Sequence, residues 1–402
     1  MTLTILQLFS QYSELKWYRK VYIKRYLPET DTFESDWHDI SNYLIDGSVE
    51  AVNRELPKDN YSFGKVIVSN CSLTFRNVYG EMSDEDNQNS VFYGYQRHNS
   101  QIRIVEGYID DKTDPDNQVA IEAIVFEGII DDFQAETTMD YKEKFIAKDK
   151  LSILDRYTMT NLGAISSTTI DTIVYEMMNR AIFSKYFTIS ASNISSGFDA
   201  SNVDMSQYTG DETILEVLQN LALGHSIFYI DPTDNNFYFK AITPTVAVQY
   251  EFKDILAKRI KIDKYMTGAD KVIEDWYWKD TNIVALTTVK KYYTSEAINI
   301  KGVTNTVQRT NLLTNIRDRN NTKKLHFDVI IPYFPIIKLL DRVSFERTGV
   351  IPDDAYLLDI GRLNIDKLRE PVGAISLTTA DEFYVRAIKH SKLTTTIHVQ
   401  KV

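Results

Sequence analysis

Side chains able to do chemistry are few in this chain and poorly spaced for it. The six histidines (His38, His98, His225, His326, His390, His398) are scattered. No two lie three or four residues apart, the spacing that lets one helix offer two ligands to a metal, and there is no HExxH. Neither a Gly-rich phosphate loop (GxxxxGK or GxGxxG) nor a GxSxG nucleophile elbow occurs. Asp131 and Asp132 are adjacent carboxylates at the end of an apolar stretch that reads as a strand. Neighbours on a strand point to opposite faces, so this pair does not converge on one substrate. Two Asp- and Asn-rich loops, 80–90 and 110–118, hold oxygens of the kind calcium takes. Counted from Asp84, the sixth and twelfth positions are Asn89 and Tyr95; counted from Asp111 they are Asp116 and Glu122. The glycine that a calcium loop needs at its sixth position is missing from both, so both read as solvated acidic hairpin tips. Cys71 is the single cysteine, which excludes an internal disulfide and reads as a small buried apolar residue beside a strand. No catalytic, metal or cofactor site is assigned, and the expectation is a protein that is not an enzyme.

Bulk properties point the same way. The 402 residues suffice for two to four domains. The 25 Tyr and 19 Phe suit half-buried strands and subunit interfaces. A formal net charge of −11 argues against general nucleic-acid affinity, which needs clustered Lys and Arg. The single cysteine points to folding in a reducing cytoplasm, and the start, MTLTILQLFSQYSELKW, lacks a basic region followed by a long apolar core, so no signal peptide is expected. No apolar run reaches the roughly 18 residues of a membrane span.

The framework is mainly β. Residues 65–154 read as short strands: SLTFRN, SQIRIVEGYI, AIVFEGIIDDFQAE and KFIAKDKLSIL, with apolar residues at every second position. Gly107 and Gly128 suit a sheet that bends sharply as it closes. KWYRKVYIKRY (16–26) interleaves bases with aromatics; it reads as an amphipathic strand whose basic stems lie over rings. At Thr168 the period changes. Ile170, Ile173, Val174, Met177, Met178 and Ala181 fall at helical spacing behind Thr169 as N-cap. A second helix is predicted over 211–223, with Ile214, Leu215, Leu218, Leu221 and Ala222 on one stripe, a Thr209/Glu212 capping box and Gly224 as the stop. SIFYIDPTDNNFYFKAI follows as a hairpin. From about Val246 strands return, most clearly at Leu325, Phe327, Val329 and Ile331 and at Leu393, Ile397 and Val399; residues 309–324, polar and charged, read as a loop. The predicted fold class is α+β, mainly β: two barrel-like β domains separated by a small α/β insert, with boundaries at 1–155, 156–245 and 246–402.

The order of elements resembles a known family. KWYRKVYIKRY, then WHDIS (37–41), LTFRNVYG (73–80), QIRIVEGY (101–108) and VFEGIIDDF (125–133) together resemble the N-terminal barrel of phage tail hub proteins, found also as baseplate hubs of contractile tails and related injection machines. The helical unit and hairpin at 168–242 look like the insert between the two barrels of such hubs. The resemblance implies a structural hub at the distal end of a tail tube. It implies a homotrimer whose six barrels adapt a hexameric tube to the tail tip or baseplate spike. Partners would be the chain itself, a tail tube or distal tail protein, and a spike or tail-fibre protein. The location would be the virion tail, assembled in the host cytoplasm. DNA would pass without specific binding, and acids would line the lumen: Asp131, Asp132 and Glu136 after the VFEGII strand, and Asp359 and Asp366 on a similar later strand. A receptor- or glycan-binding tail-tip protein is the alternative.

Overall fold

A computed structural model describes residues 15–45, 53–55, 69–110, 119–136, 141–198, 202–242, 248–252, 261–267, 275–278, 283–284, 295–298, 300–321, 325–334, 336–345, 347–350, 375–377, 382–390 and 394–401. The protein is mainly β, as its alternating pattern predicts.

The first sheet has seven strands. β1 (Leu15–Leu27), β2 (Thr32–Phe33) and β3 (His38–Asp39) are followed by β4 (Asn53–Glu55), which belongs to another sheet. β5 (Asn70–Arg76), β6 (Gln96–Asp110), β7 (Val119–Glu136) and β8 (Lys142–Asp149) complete the set in the order β2-β1-β6-β7-β8-β5, with β3 also on β1. Its two ends are bridged by the segment around WHDIS. β3 pairs with Tyr22 and Ile23 of β1, and a few residues on Leu44 bridges Phe75 while Ile45 donates to the Thr74 carbonyl of β5 at 3.0 Å. The sheet therefore curls around one core of Val21, Ile23, Leu73, Phe75, Ile102 and Phe145, with Cys71 buried among them. Gly128 is where the curl needs a missing side chain: a Cβ there would overlap the Lys148 carbonyl oxygen and the Phe126 ring.

Residues 77–95 correct the hairpin-tip reading. β5 and β6 are not neighbours, so this segment is a crossover and not a hairpin. It tucks Met82 and Phe92, both fully buried, into the first core. Residues 111–118 lie outside the described residues.

The α/β unit follows. The turn at Lys150–Asp155 and α1 (Met159–Leu162) lead to α2 (Ile170–Met178). Thr169 caps α2 as expected, but the helix stops at Met178, and Ala181 opens a separate turn, α3 (Ala181–Ser184), on the exposed side. β9 (Thr188–Ser195), which the sequence pattern did not reveal, runs parallel to the second strand of the predicted hairpin, Asn236–Ala241. α4 (Ile214–Ala222) starts later than expected. Thr213 and Glu216 form its capping box, and the predicted Thr209/Glu212 pair closes a turn just ahead, with Glu212 accepting from Thr209. Gly224, at φ +78, ends the helix. β10 (Ser226–Asp231) and β11 (Asn236–Ala241) make the hairpin. All five apolar residues of the predicted α4 stripe are buried.

The second large sheet runs β12-β18-β21-β22-β17-β13, with β4 added to β21. Its strands are β12 (Tyr250–Phe252), β13 (Lys261–Thr267), β17 (Leu325–Pro332), β18 (Arg342–Phe345), β21 (Glu382–His390) and β22 (Thr394–Lys401). Smaller sheets hold β14 (Asp275–Trp278), β15 (Ile283–Val284) and β16 (Ser295–Ile298), and β19 (Arg347–Val350) with β20 (Ile375–Leu377). Val329, Ile331, Ile397 and Val399 are buried in its core, as their alternation predicts.

Residues 309–324 are not a loop through most of their length. α5 (Thr306–Asn321) occupies them, with Asn305 accepting from the amides of Val307 and Gln308 at its start. Leu312 and Leu313 join Ile300 and Val303 in the core of the α/β unit. A mostly polar helix with one adjacent buried apolar pair among its described residues leaves little periodic signal.

Candidate interaction surface

Asp131 lies where the register between β7 and β8 shifts. Its carboxylate is paired with Lys148 of β8 at 2.7 Å and Arg156 at 3.5 Å. It lines a cleft of about 310 Å³ with Asn70, Lys148, Asp155, Arg156 and Leu215 of α4. Asp132 is exposed, and its carboxylate accepts from the Phe133 amide at 2.8 Å. Glu136 pairs through its backbone with Lys142; its side chain is outside the described residues, as are Asp359 and Asp366. Among the described residues no group of three or more His, Cys, Asp and Glu could hold a metal ion, and no helix is long and apolar enough to cross a membrane.

Three buried polar joints, none of which the sequence reading found, tie the parts together. At the first, Glu106 of β6 is almost wholly buried. Arg19, its cross-strand partner on β1, donates to it at 2.5 Å, and Tyr333, just past β17, donates its hydroxyl to the other carboxylate oxygen. Tyr108 donates to the Tyr333 carbonyl at 3.3 Å, and Trp17 meets the Tyr333 ring edge-on at 6.3 Å. Burial and the Glu106 charge push the Tyr333 hydroxyl far above its ordinary value, so it stays a donor. The second joint sets Lys150 against Glu127 of β7, both buried, with Arg103 on the same carboxylate at 2.7 Å. Lys150 also donates to Asn235 in the β10–β11 turn at 2.8 Å. Burial lowers the Lys150 ammonium, and Glu127 works against that. The third joins the hairpin to the second sheet: Lys338 reaches Asp231 at 2.5 Å. The nearby Asp341 is raised to about 7 by burial and the Asp231 charge, against the Lys338 amide and ammonium. In sequence, Glu106 and Glu127 show only as acids at the apolar strands IRIVEGY and IVFEGII; their partners are distant.

The basic-aromatic strand has the bland role expected of it. Val21 and Ile23 are core, and the Arg19 guanidinium lies 4.9 Å from the centroid of Trp17. Arg25 lies 3.9 Å from that of Tyr95 and is paired with Glu34 at 2.8 Å.

One end of the first barrel is different. Val78, Tyr79, Tyr93 and Tyr141 are four of the five exposed large apolar side chains among the described residues, with Tyr79 75% and Tyr141 63% exposed. The Asn77 amide donates to the Tyr141 carbonyl at 2.7 Å, which brings the start of β8 against the 77–95 crossover. Tyr79 and Tyr93 lie inside the crossover and Tyr141 just ahead of β8, where local sequence does not tell an exposed ring from a buried one.

No family model and no curated protein matches the sequence. Solved structures do match the fold. The chain is similar to a tail protein from Neisseria meningitidis MC58, at 9% identity, with 96% of each chain covered and a TM-score of 0.53. It is also similar to the 43 kDa tail protein of prophage MuSo2 from Shewanella oneidensis, at 12% identity, covering 95% of this chain and 97% of that one with a TM-score of 0.50. The fold is shared with these two tail proteins, as the order of sequence elements implies.

Proposed function

We propose that the chain is a structural subunit of a phage-type tail, a hub at the distal end of the tube that adapts a hexameric ring to the tail-tip or baseplate spike as a homotrimer. The observation that carries this reading is the end-to-end fold likeness to the two tail proteins, which spans the barrel, the insert and the second sheet together. The buried joints supply a physical reason: an adaptor must hold its barrels at a fixed spacing, and salt-bridged, hydrogen-bonded joints give one geometry. The reading is non-enzymatic, places the chain in the virion tail and gives it tube, distal tail, spike or fibre proteins as partners. Its domain map is 1–155, 156–245 and 246–402, with two exchanges: β4 lies on the third unit and 300–313 on the second.

The acids proposed for the inner wall are Asp131, Asp132 and Glu136, of which Asp131 is paired with Lys148 and Arg156. Asp359 and Asp366 keep the same proposed role. The experiment is an image reconstruction of the assembled ring, with light scattering alongside. Three chains per ring and a neutral to acidic channel are expected. A strict monomer, both alone and with tube protein added, contradicts the hub, and a channel lined by Lys and Arg contradicts the lumen assignment. A second reading, binding of host-surface glycan, draws on the exposed Tyr79, Tyr93 and Tyr141.

A further inference from the structure

The 77–95 crossover has the composition of a recognition loop. NVYGEMSDEDNQNSVFYGY is rich in Tyr, Asn, Ser and Gly. Tyrosine gives a large, stiff, amphipathic contact at small entropic cost, and the small polar residues give adaptable hydrogen bonds. The loop is also built to hold still. Met82 and Phe92 anchor it in the barrel core. Asn77 accepts from the Met82 amide at 2.9 Å, Ser90 donates to the Ser83 carbonyl at 2.7 Å, and Arg97 donates to the Met82 carbonyl at 2.9 Å. Gly80 sits at φ +84, where a Cβ would overlap the Asn87 amide. Tyr141 itself holds φ +44, a strained setting for a bulky residue, with its ring in solvent. A rigid loop that keeps aromatic rings in water incurs a hydration cost that a partner would remove.

Charge narrows the partner. Asp84, Glu85 and Asp86 are exposed beside the rings, and Glu81 is half-buried next to Tyr79. Arg97 is nearly buried and shared between Asp84 and Glu143, while Arg76 and Lys142 lie on the strand side. The loop side is therefore acidic. We infer that the Val78–Tyr79–Tyr93–Tyr141 end of the first barrel is a preformed docking face for a different protein chain, one that presents lysine beside an apolar patch. This rests on the tail reading above.

Purified tails treated with a carbodiimide test it, since that reagent joins a carboxylate to an amine only at contact distance. The expected result is a cross-link from Asp84, Glu85 or Asp86 to a lysine of another polypeptide. Tyr79, Tyr93 and Tyr141 should also iodinate about tenfold more slowly in the tail than in the isolated chain, and the double variant Tyr79→Ala/Tyr93→Ala should enter tails about tenfold less well. Val307→Ala, an exposed site on α5, should enter normally. Cross-links only to a second copy of this chain, unprotected tyrosines in the tail, protection without a cross-link, or protection of the isolated chain by host polysaccharide each overturn the proposal. If the chain is absent from purified tails, the tail reading falls as well; if it is present with its tyrosines open, only the docking face falls.

Discussion

Glu106 and Tyr79 belong to one barrel and sit at opposite extremes of burial, a charge inside and a ring outside. Glu106 is a carboxylate almost sealed from water between two sheets, held by Arg19 and Tyr333. Tyr79 is a large ring left mostly in water. Charge is rarely buried unless paired, and aromatic rings on rigid loops are normally covered. The contrast separates joints from faces. Where the parts of this chain meet each other, polar groups that already have partners join them beside apolar contacts such as Phe33 with Tyr186. Where the barrel ends, it offers rings that have none of the chain's own core to cover them.

The sharpest way to break that contrast is to unbalance a joint. Glu127→Ala leaves the Lys150 ammonium buried against Arg103 with no counter-charge, and should destabilise the fold by about 3–5 kcal/mol. Denaturant titration measures it. The double variant Glu127→Leu/Lys150→Met should recover most of the loss, since a buried pair replaced whole by apolar groups is often neutral. If the double variant is as unstable as the single, the joint does not act as a balanced pair.

The third joint is expected to respond to pH. Burial and Asp231 raise Asp341 to about 7, so the fold prefers its neutral form. A carboxyl raised in the fold contributes stability that is complete below its unfolded value, about 4, and is lost as pH climbs through 7. Asp231 is lowered: burial pushes it up, but Lys338 and Thr233 outweigh that, and its contribution disappears only in acid below that window. Tyr229, Tyr250, Lys240 and Lys338 also face this cluster. Denaturation at pH 5 and pH 8 should show a loss of about 2 kcal/mol on going basic, and Asp341→Asn should flatten it.

Tyr333→Phe comes next. It removes one donor to Glu106 and leaves Arg19 in place, so a loss of about 1–2 kcal/mol is expected. A larger loss would mean that the hydroxyl, more than the Arg19 pair, holds the two sheets.

What could be read in the sequence follows the same division. Alternation exposed the strands, because Ile102, Ile104, Val329 and Ile331 each bury one face. The 3.6-residue stripe gave α4 because five of its residues enter one core. α5 escaped since Leu312 and Leu313 are its buried apolar residues among the described ones, and the core they enter is built largely from residues far away in sequence. The joints escaped because Glu106 and Tyr333 are 227 residues apart. The tyrosine face escaped for a different reason: exposure depends on where a crossover lands, and a Tyr in YGEM or FYGY looks the same buried or bare. Among the proposed lumen acids, the ion pairs of Asp131 came from β8 and the turn after it, which local spacing does not announce.

The smallest expected effect is the most discriminating. Tyr79→Ser and Tyr93→Ser remove rings that are at least half exposed. Surface changes of that kind usually stay within about 0.5 kcal/mol of the parent. Stability of the isolated chain should therefore be unchanged while incorporation into tails falls sharply. That outcome would show rings kept for a surface beyond the chain itself. If instead both variants lose stability together, by more than about 1 kcal/mol, then the rings help hold the 77–95 crossover onto the barrel. The contrast between joint and face would then fail at its exposed end, leaving Met82 and Phe92 as only part of what anchors that loop.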